Sequence, residues 1–271
     1  MSKLTFPLYS FEDFISEIKM PLETLSDDYT YYYRGCSVHD WKYNLTPGIY
    51  RDNNIFKEDI NFREMIISSP NDFFNEKTTL EKLVKMQHYT LPTRLLDITS
   101  NPLVALYFAC QQYKDMKVNG KVFLIRIMKK EIKYYDSDAV CLISNLAKLS
   151  IDKTNFTRKF DYLMHEIREE KPHFIDTLGI LNKKDIKRVF PVKVKLNNNR
   201  IVRQSGAFLI FGMRYLTSKR QSAVFPKATI EKEIIIDESA KLGIRISLDS
   251  LAINENTLFP ELEHQAHYLV R

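Results

Sequence analysis

The residues most able to do chemistry are concentrated in one segment, MQHYTLPTRLLDITSNPLVALYFAC, at positions 86–110. A Thr-Ser pair, Thr99 and Ser100, stands there directly before an apolar run that begins with Asn101 and Pro102. Hydroxyls and free backbone amides at a helix N-terminus can bind an anion such as a phosphate, because the helix dipole favours negative charge there. The same residue types also cap helices without any ligand. The segment is therefore either a nucleotide-binding corner or a helix cap.

Arg34 is a second candidate for binding chemistry. It ends the aromatic run YTYYYRG, which predicts a strand because aromatic side chains favour a pleated surface. Gly35 follows directly and would free the backbone to turn, which places Arg34 at the end of the strand. A guanidinium there can form paired hydrogen bonds with a phosphate or a ribose, and the alternative is a surface salt bridge.

Three further polar groups allow either structural or chemical roles. Arg94 and Asp97 lie three residues apart on the predicted strand TRLLDIT, so they face opposite sides, and each fits a separate structural hydrogen bond. His88 stands near the end of the apolar stripe of a predicted helix over 78–89, next to Gln87. It is either a core histidine with a satisfied partner or, with Gln87 and Arg94, part of a donor-rich site.

Metal binding is not expected. His264 and His267 share a helix face with Glu263, but one helix with this spacing supplies too few ligands to hold a metal ion. The three cysteines of the chain also lack metal-ligand spacing, and their odd number indicates a reducing compartment.

Alternating helices and strands must position these residues. The spacing of apolar residues predicts a helix over 11–19 that is capped by Ser10 and ended by Pro21. The strand TRLLDIT then leads through Pro102 into a buried helix, and a further strand follows at 121–128. Residues 93–128 are therefore expected to form a strand, helix and strand in succession.

The later part of the chain predicts a second set of strands and helices. The segment NNNRIVRQSGAFLIFG indicates a turn followed by a strand that carries Gln204 at its centre. The tail predicts a strand, a short helix ended by Gly243 and a closing helix with Pro260 in its first turn. This mixed order indicates an α+β fold with a mixed β-sheet core and flanking helices.

Composition limits the class of protein. A chain of 271 residues that is 44% hydrophobic can bury a sizeable core. The net charge of +6 has the right sign for a polyanionic partner, and it also fits an ordinary solvated surface. No stretch approaches the length needed to span a bilayer, and the N-terminus lacks the apolar core of a signal peptide. We expect a cytoplasmic protein without membrane contact.

Four sequence pieces, YRG, MQHYTLPTRLLDITSNPLVALYFA, RQSGAF and TLFPELE, occur in an order that resembles the FRG domain family of small bacterial and phage proteins. The resemblance covers nearly the whole chain and implies a single FRG-type domain over 1–271. That domain would comprise an N-terminal helix at 11–19, a core at 29–128, a charged insertion at about 130–190 and closing strand and helix elements at 190–271.

The chain is also similar, more distantly, to ADP-ribosyltransferases of the arginine class. These enzymes carry an arginine on an early strand, a Ser-Thr-Ser-like strand end before a helix and a glutamate on a late strand. Arg34, the Thr99-Ser100 pair and the RQSGAF segment fall in that order. The similarity implies that Arg34 holds a phosphate or the nicotinamide ribose and that Thr99 and Ser100 brace the nicotinamide side. Gln204 stands in place of the glutamate and can contact a ribose hydroxyl but cannot carry the negative charge.

The resemblance leads to a functional hypothesis with one alternative. An enzyme with an ADP-ribosyltransferase-like fold would use NAD to modify a protein or nucleic acid, and it would act as a bacterial toxin or anti-phage effector. The expected partners are NAD, a macromolecular acceptor such as RNA or DNA, and an antitoxin or regulatory protein. The alternative is a catalytically inactive module that binds nucleic acid or a nucleotide through its basic surface. The candidate catalytic residues are Arg34, His88, Gln204 and Glu263, and the candidate cofactor-binding residues are Arg34, Gly35, Arg94, Thr99 and Ser100.

Overall fold

The computed structural model describes residues 7–24, 26–37, 45–52, 54–111, 117–150, 156–174, 185–214, 221–222, 225–226 and 229–270. Within these ranges the strands are β1 (Tyr29–Cys36), β2 (Leu95–Thr99), β3 (Gly120–Met128), β4 (Lys133–Tyr134), β5 (Val189–Lys193), β6 (Gly206–Phe211), β7 (Met213–Arg214), β8 (Gln221–Ser222) and β9 (Ile230–Ile236). The described strands form a seven-stranded sheet in the order β4-β5-β6-β2-β1-β3-β9 and a separate pair, β7-β8. All neighbours in the large sheet are antiparallel except β4 and β5, which are parallel. The sheet is therefore mixed, as predicted.

Helices flank this sheet. Their described bounds are α1 (Phe11–Glu23), α2 (Glu58–Ser68), α3 (Pro70–Phe73), α4 (Thr79–His88), α5 (Pro102–Ala109), α6 (Asp138–Asn145), α7 (Phe156–Glu170), α8 (Asn199–Arg203), α9 (Lys241–Ser250), α10 (Glu255–Leu258) and α11 (Leu262–Leu269). Short 3₁₀ turns connect several of these elements. The α+β class expected from the order of elements is confirmed.

The helices α4 and α5 each begin at a residue whose side chain caps the helix. Thr78 accepts a hydrogen bond from the Glu81 amide, and the Glu81 carboxylate accepts one from the Thr78 amide, which is a complete capping box. Asn101 caps α5 by accepting from the Leu103 amide, with Pro102 in the first helical position. The sequence predicts α4 from its apolar stripe and α5 from Asn101 and Pro102, and both helices begin where they are predicted, with β2 between them.

The core divides into clusters that flank the centre of the sheet. Tyr33 lies opposite Thr99, so Tyr31 and Tyr33 of β1 face the same side of the sheet as Leu95, Asp97 and Thr99 of β2. On that side Tyr31 and Tyr33 pack with α1, α5 and α9, whereas Leu95 packs with α2, α4, α6 and α7. Two groups of helices thus cover one face of the sheet, and the boundary between the two groups lies over β1 and β2.

Three predicted element boundaries are wrong. α1 continues through Pro21 to Glu23, because a proline in the last turn removes only one helical hydrogen bond. β1 continues through Gly35, which pairs with Val122 of β3, so Arg34 does not end the strand. α9 contains Gly243 rather than ending there, since its buried Ile244 and Leu248 anchor the helix to the core.

Two predictions about the last third of the chain also need correction. Gln204 follows the last residue of the short helix α8 and does not lie on a strand; Ser205 adopts a left-handed conformation with φ 47°, and β6 begins at Gly206. The closing helix is interrupted, with α10 ending before Phe259 and α11 beginning at Leu262. Pro260 lies between them, where its missing N–H cannot continue α10.

The charged insertion predicted at about 130–190 is described only in part. Its described residues include α6 and α7, which pack on the cluster around Leu95. Residues 151–155 and 175–184 lie outside the described part of the chain.

Candidate functional site

The sheet parts between β1 and β2. These two strands share one register pair, Tyr33 opposite Thr99, whereas β1 pairs with β3 along all of Tyr29–Cys36. Beyond that pair the guanidinium of Arg34 donates a hydrogen bond to the Asp97 carbonyl at 2.7 Å. A side chain therefore bridges the two strands where backbone pairing has stopped.

A cavity of about 400 Å³ lies at this parting. Its walls come from β1, α4, β2, α5, α8 and the start of β6. The volume falls in the range of pockets that hold small organic ligands. The polar lining residues are Arg34, Gln87, His88, Thr90, Asp97, Thr99, Asn198, Arg200 and Gln204, and the apolar and aromatic ones are Tyr33, Gly35, Val84, Ile98, Val104, Phe108, Ile201, Gly206, Ala207 and Phe208.

A second cavity of about 280 Å³ adjoins the first. Arg34, Gln87, Thr90 and Asp97 line both cavities, so the two spaces are adjacent, and we refer to them together as the cleft. The Arg34–Asp97 contact lies at the junction between them.

Asp97 is held by a chain of oriented polar groups. The Gln87 Nε2 donates to Asp97 Oδ2 at 2.8 Å, and Thr93 Oγ1 donates to Gln87 Oε1 at 2.7 Å. Because the Thr93 hydroxyl fixes the carboxamide oxygen, the amide nitrogen must face the carboxylate. Thr93 is 1% exposed, so the chain is anchored in the core.

His88 lies at the end of α4 beside the carboxylate of Glu261, with 3.1 Å between His88 Nε2 and Glu261 Oε1. Burial, Arg200 and Lys85 lower the pKa of His88 from its usual 6.5, and Glu261 opposes them in part. Near pH 7 the imidazole is therefore neutral and able to accept a proton.

Arg200 brings a second guanidinium to the cleft. It lies over the Phe259 ring at 4.7 Å from the ring centroid, a cation–π arrangement, and Phe259 is 5% exposed. Among the described residues, no carboxylate forms an ion pair with Arg200. The side chain is thus positioned by an aromatic face and keeps its charge available for an anion.

The C-terminal segment, residues 254–269, packs against α8 and the residue that follows it, Gln204, which lines the cleft. Gln204 Nε2 donates to the Leu258 carbonyl at 3.2 Å, and Arg203 donates to the Asn256 carbonyl at 3.2 Å. The segment is braced internally by Glu255, whose carboxylate lies 3.0 Å from Nδ1 of both His264 and His267. These contacts tie the segment to α8 and set the position of Phe259.

The Thr99-Ser100 corner is tied to the turn before β6. Thr99 Oγ1 donates to the Gln204 carbonyl at 2.6 Å and accepts from the Asn101 amide at 3.0 Å. The Ser100 amide donates to the Ser205 carbonyl at 3.0 Å, and Ser100 is exposed and does not line either cavity. Thr99 lines the cleft, and both residues have structural hydrogen bonds.

Arg94 lies away from the cleft. Its side chain is fully buried, its Nε donates to Glu58 Oε1 at 2.9 Å, its Nη2 donates to Glu58 Oε2, and its Nη1 donates to the Phe211 carbonyl at 3.2 Å. Burial raises the pKa of Glu58, and the Arg94 charge opposes this shift. These contacts give Arg94 a structural partner in the core.

The structure thus brings together five of the eight residues that the sequence singled out. Arg34, Gly35, His88, Thr99 and Gln204 line one cavity, whereas Arg94, Ser100 and Glu263 do not. Glu263 is exposed on α11, and the carboxylate beside His88 belongs to Glu261, two residues earlier.

Gly35 contributes through packing. A Cβ atom at this position would lie 1.8 Å from the Ala105 carbonyl oxygen, so the backbone of α5 needs a glycine here to approach β1. This close approach forms the wall of the cavity next to Val104.

Sequence reasoning missed three polar residues of the cleft as functional candidates. For Asp97 the sequence favours a structural role, although a lone charge at the centre of the apolar strand LLDIT is a usable signal. Gln87 was noted only as a neighbour of His88. Arg200 has no local signal, because its place depends on the packing of α8 against β6, the strand that pairs with β2.

The described residues provide neither a cluster of metal ligands nor a helix able to span a membrane. They contain no group of three or more His, Cys, Asp or Glu side chains placed to hold a metal ion. No helix among them is both long and apolar enough to cross a membrane.

Comparison with known proteins identifies the segment that carries the cleft. Searches of curated proteins and of solved structures found no match to the chain. The family model of the FRG domain matches residues 29–117, which include β1, α4, β2 and α5 and therefore Arg34, His88 and Asp97. The chain therefore carries an FRG domain, and this domain supplies most of the cleft.

Proposed function

We propose that the cleft binds NAD and that the chain transfers ADP-ribose from NAD to an acceptor. The observation that carries this proposal is the meeting of Arg34, Thr99 and Gln204 in one cavity. These residues come from the three separate segments in which the sequence resembles ADP-ribosyltransferases. The proposal includes a fold related to those enzymes.

The charges of the cleft suit a dinucleotide. Arg34 and Arg200 supply two guanidinium groups, which form strong paired hydrogen bonds with phosphate oxygens. Phe108 and Phe208 line the same cavity and offer apolar faces to the planar rings of such a ligand. In this proposal the carboxamide of Gln204 contacts a ribose hydroxyl, although its Nε2 already donates to the Leu258 carbonyl.

His88 fits the role of general base. Its neutral imidazole accepts the proton of the attacking acceptor, and Glu261 stabilises the imidazolium that forms. We place the reaction in the cytoplasm, where an odd number of cysteines is compatible with reducing conditions. A toxin or anti-phage role, with an antitoxin or regulatory protein as partner, belongs to the same proposal.

The direct test measures nicotinamide release from NAD, with and without protein and nucleic acid acceptors. Wild type is expected to release nicotinamide, and Arg34→Ala to lose about tenfold or more in kcat/KM, because a hydrogen bond to a charged group contributes about 1.5–3 kcal/mol. Arg126→Ala is the matched control, since Arg126 lies on the adjacent strand β3 and pairs with Glu231 outside the cleft. No release by wild type under any condition would refute the proposal.

A second candidate function is favoured by one observation. Gln204, which takes the place of the expected glutamate, carries no charge and has its amide engaged with Leu258. An inactive domain would keep Arg34 and Arg200 for binding a nucleotide or nucleic acid. Such binding should weaken steeply with rising salt as counterions are released, and a flat salt response would exclude it.

A further inference from the structure

Cleavage of a nicotinamide–ribose bond calls for a negative charge near the reacting carbon, because the transition state resembles an oxocarbenium ion. Among the described residues that line the two cavities, Asp97 is the one that carries a carboxylate. Glu261 contacts His88 from outside the lining, and Glu263 is exposed on α11. The cleft itself therefore offers a single acidic side chain.

We infer that Asp97 is the catalytic carboxylate of this cleft and that it stabilises the ribosyl cation formed when the nicotinamide bond breaks. This inference rests on the proposed function. It assigns to an early strand the role that the family resemblance would have placed at Gln204.

The position of Asp97 on β2 supports this role. Its neighbours Leu96 and Ile98 are buried in the core, whereas Asp97 is exposed to the cleft in the middle of the same strand. Asp97 shares a sheet face with Tyr33 and Leu95, and these two residues belong to the two helical clusters that flank the opening. A charged side chain is tolerated at the centre of the sheet because the two clusters leave a space there.

The Asp97 carboxylate is held by a hydrogen bond and forms no ion pair with a described residue. Its Oδ2 accepts one hydrogen bond, from Gln87, and Oδ1 accepts none from a described residue. Gln87 is in turn held by the buried Thr93 hydroxyl. Oδ2 is thus fixed by a hydrogen bond on a residue that lines the cleft, and a preorganised electrostatic site requires such an oriented group.

The neighbouring arginine places the phosphates close to this charge. Arg34 donates to the main-chain carbonyl of Asp97, and both residues line the same two cavities. A dinucleotide whose diphosphate binds Arg34 would have its ribose within reach of Asp97. The continuation of the cleft past this contact gives the acceptor a separate approach, lined by Leu91 and Pro92.

The step balances as a substitution at the anomeric carbon. The bond between that carbon and the nicotinamide nitrogen breaks, and its electron pair leaves with nicotinamide, which becomes neutral. The ribosyl cation is stabilised by Asp97 until the acceptor's lone pair forms the new bond. The acceptor proton passes to His88 and then to solvent; with water as acceptor the products are ADP-ribose, nicotinamide and one proton.

The test compares NAD binding by calorimetry with nicotinamide release for wild type, Asp97→Asn, Asp97→Glu and Asp136→Asn. Asp97→Asn keeps the shape and the contact with Gln87, so NAD affinity should change by less than about threefold while release falls by about 100-fold, the usual effect of losing one electrostatic stabiliser. Asp97→Glu should recover part of the rate. Asp136 is exposed outside the cleft, and its amide variant should behave as wild type.

The outcomes separate the two proposals. Release by Asp97→Asn at the wild-type rate overturns the role of Asp97 and leaves the proposed function intact. Wild type that releases no nicotinamide under any condition overturns the proposed transfer and with it the role of Asp97, whether or not NAD binds. If thermal melting shows that Asp97→Asn does not fold, Asp97→Ser is measured in its place with the same expected separation of binding from release.

Discussion

Replacing Arg94 with methionine is expected to lower the free energy of unfolding by about 3–5 kcal/mol, the cost of breaking a buried ion pair from one side. Arg94 is 0% exposed and Glu58 is 3% exposed, so water cannot take over the lost contacts. Three donated hydrogen bonds disappear, two to the Glu58 carboxylate and one to the Phe211 carbonyl. A carboxylate is left in the core without a counter-charge.

The loss should depend on pH in a defined direction. Burial already raises the pKa of Glu58, and removal of Arg94 removes the charge that opposes this shift. A buried acid with a raised pKa holds its proton more tightly in the folded state, so stability falls as pH rises from the unfolded value towards the folded one. The variant should therefore be less destabilised at pH 5 than at pH 8.

Urea unfolding monitored by circular dichroism gives these free energies. Combining Arg94→Met with Glu58→Leu should recover much of the loss, because an apolar pair can replace a buried ion pair. The control is Arg188→Met; Arg188 pairs with Glu131 at the surface, where both side chains are more than 40% exposed, and the expected loss is about 1 kcal/mol or less. A stable, folded Arg94→Met that no longer binds NAD would refute the structural role and restore the sequence-based assignment.

Two further predictions test packing and the thiols. Gly35→Ala should lower the free energy of unfolding by at least about 1–3 kcal/mol, because its Cβ would overlap the Ala105 carbonyl. Gly243→Ala has nothing within 4 Å of the new Cβ and should raise the free energy of unfolding by about 0.5–1 kcal/mol, because alanine favours the helix α9. Urea unfolding measures both changes, and equal effects would contradict the packing described. Burial raises the pKa of Cys110 and of Cys141 to about 12, so about 1 in 10,000 of each thiol should be ionised at pH 8. Both should resist a thiol reagent that labels the partly exposed Cys36. Two fast-reacting thiols per chain would contradict the burial of Cys110 and Cys141.

Local signals account for the parts of the fold that were predictable. Ser10 caps α1 by accepting from the Asp13 amide, Asn101 caps α5, and the capping box at Thr78 starts α4. Each signal acts within three residues, so it can be read without knowledge of the rest of the chain. The helices they begin lie as predicted, although the end of α1 does not.

The errors arise where distant contacts decide. Gly35 follows an arginine, which indicates a turn, but the absence of a side chain here allows the close approach of Ala105, which lies 70 positions later in the chain. The short helix α8 has five residues, too few for periodicity to reveal, so Gln204 was placed on a strand. Arg94 and Asp97 were expected on opposite faces, yet which of them is buried depends on Glu58.

The candidate site likewise contains residues found from local sequence signals and residues placed by contacts between distant parts of the chain. Arg34, His88 and Thr99 were found from residue type and order, since each lies in a recognisable motif. Asp97 and Arg200 enter the cleft because β1 and β2 part after one register pair and α8 folds over the opening. Neither event has a signature within a short window of sequence.

The most direct test of the account is a crystal structure of the chain with a non-hydrolysable NAD analogue. We expect the analogue in the cleft between β1 and β2, with its diphosphate within hydrogen-bond distance of Arg34 or Arg200 and with Asp97 as the carboxylate nearest the anomeric carbon. An analogue bound with its diphosphate away from both arginines, or an empty cleft at saturating analogue, would contradict the central claim.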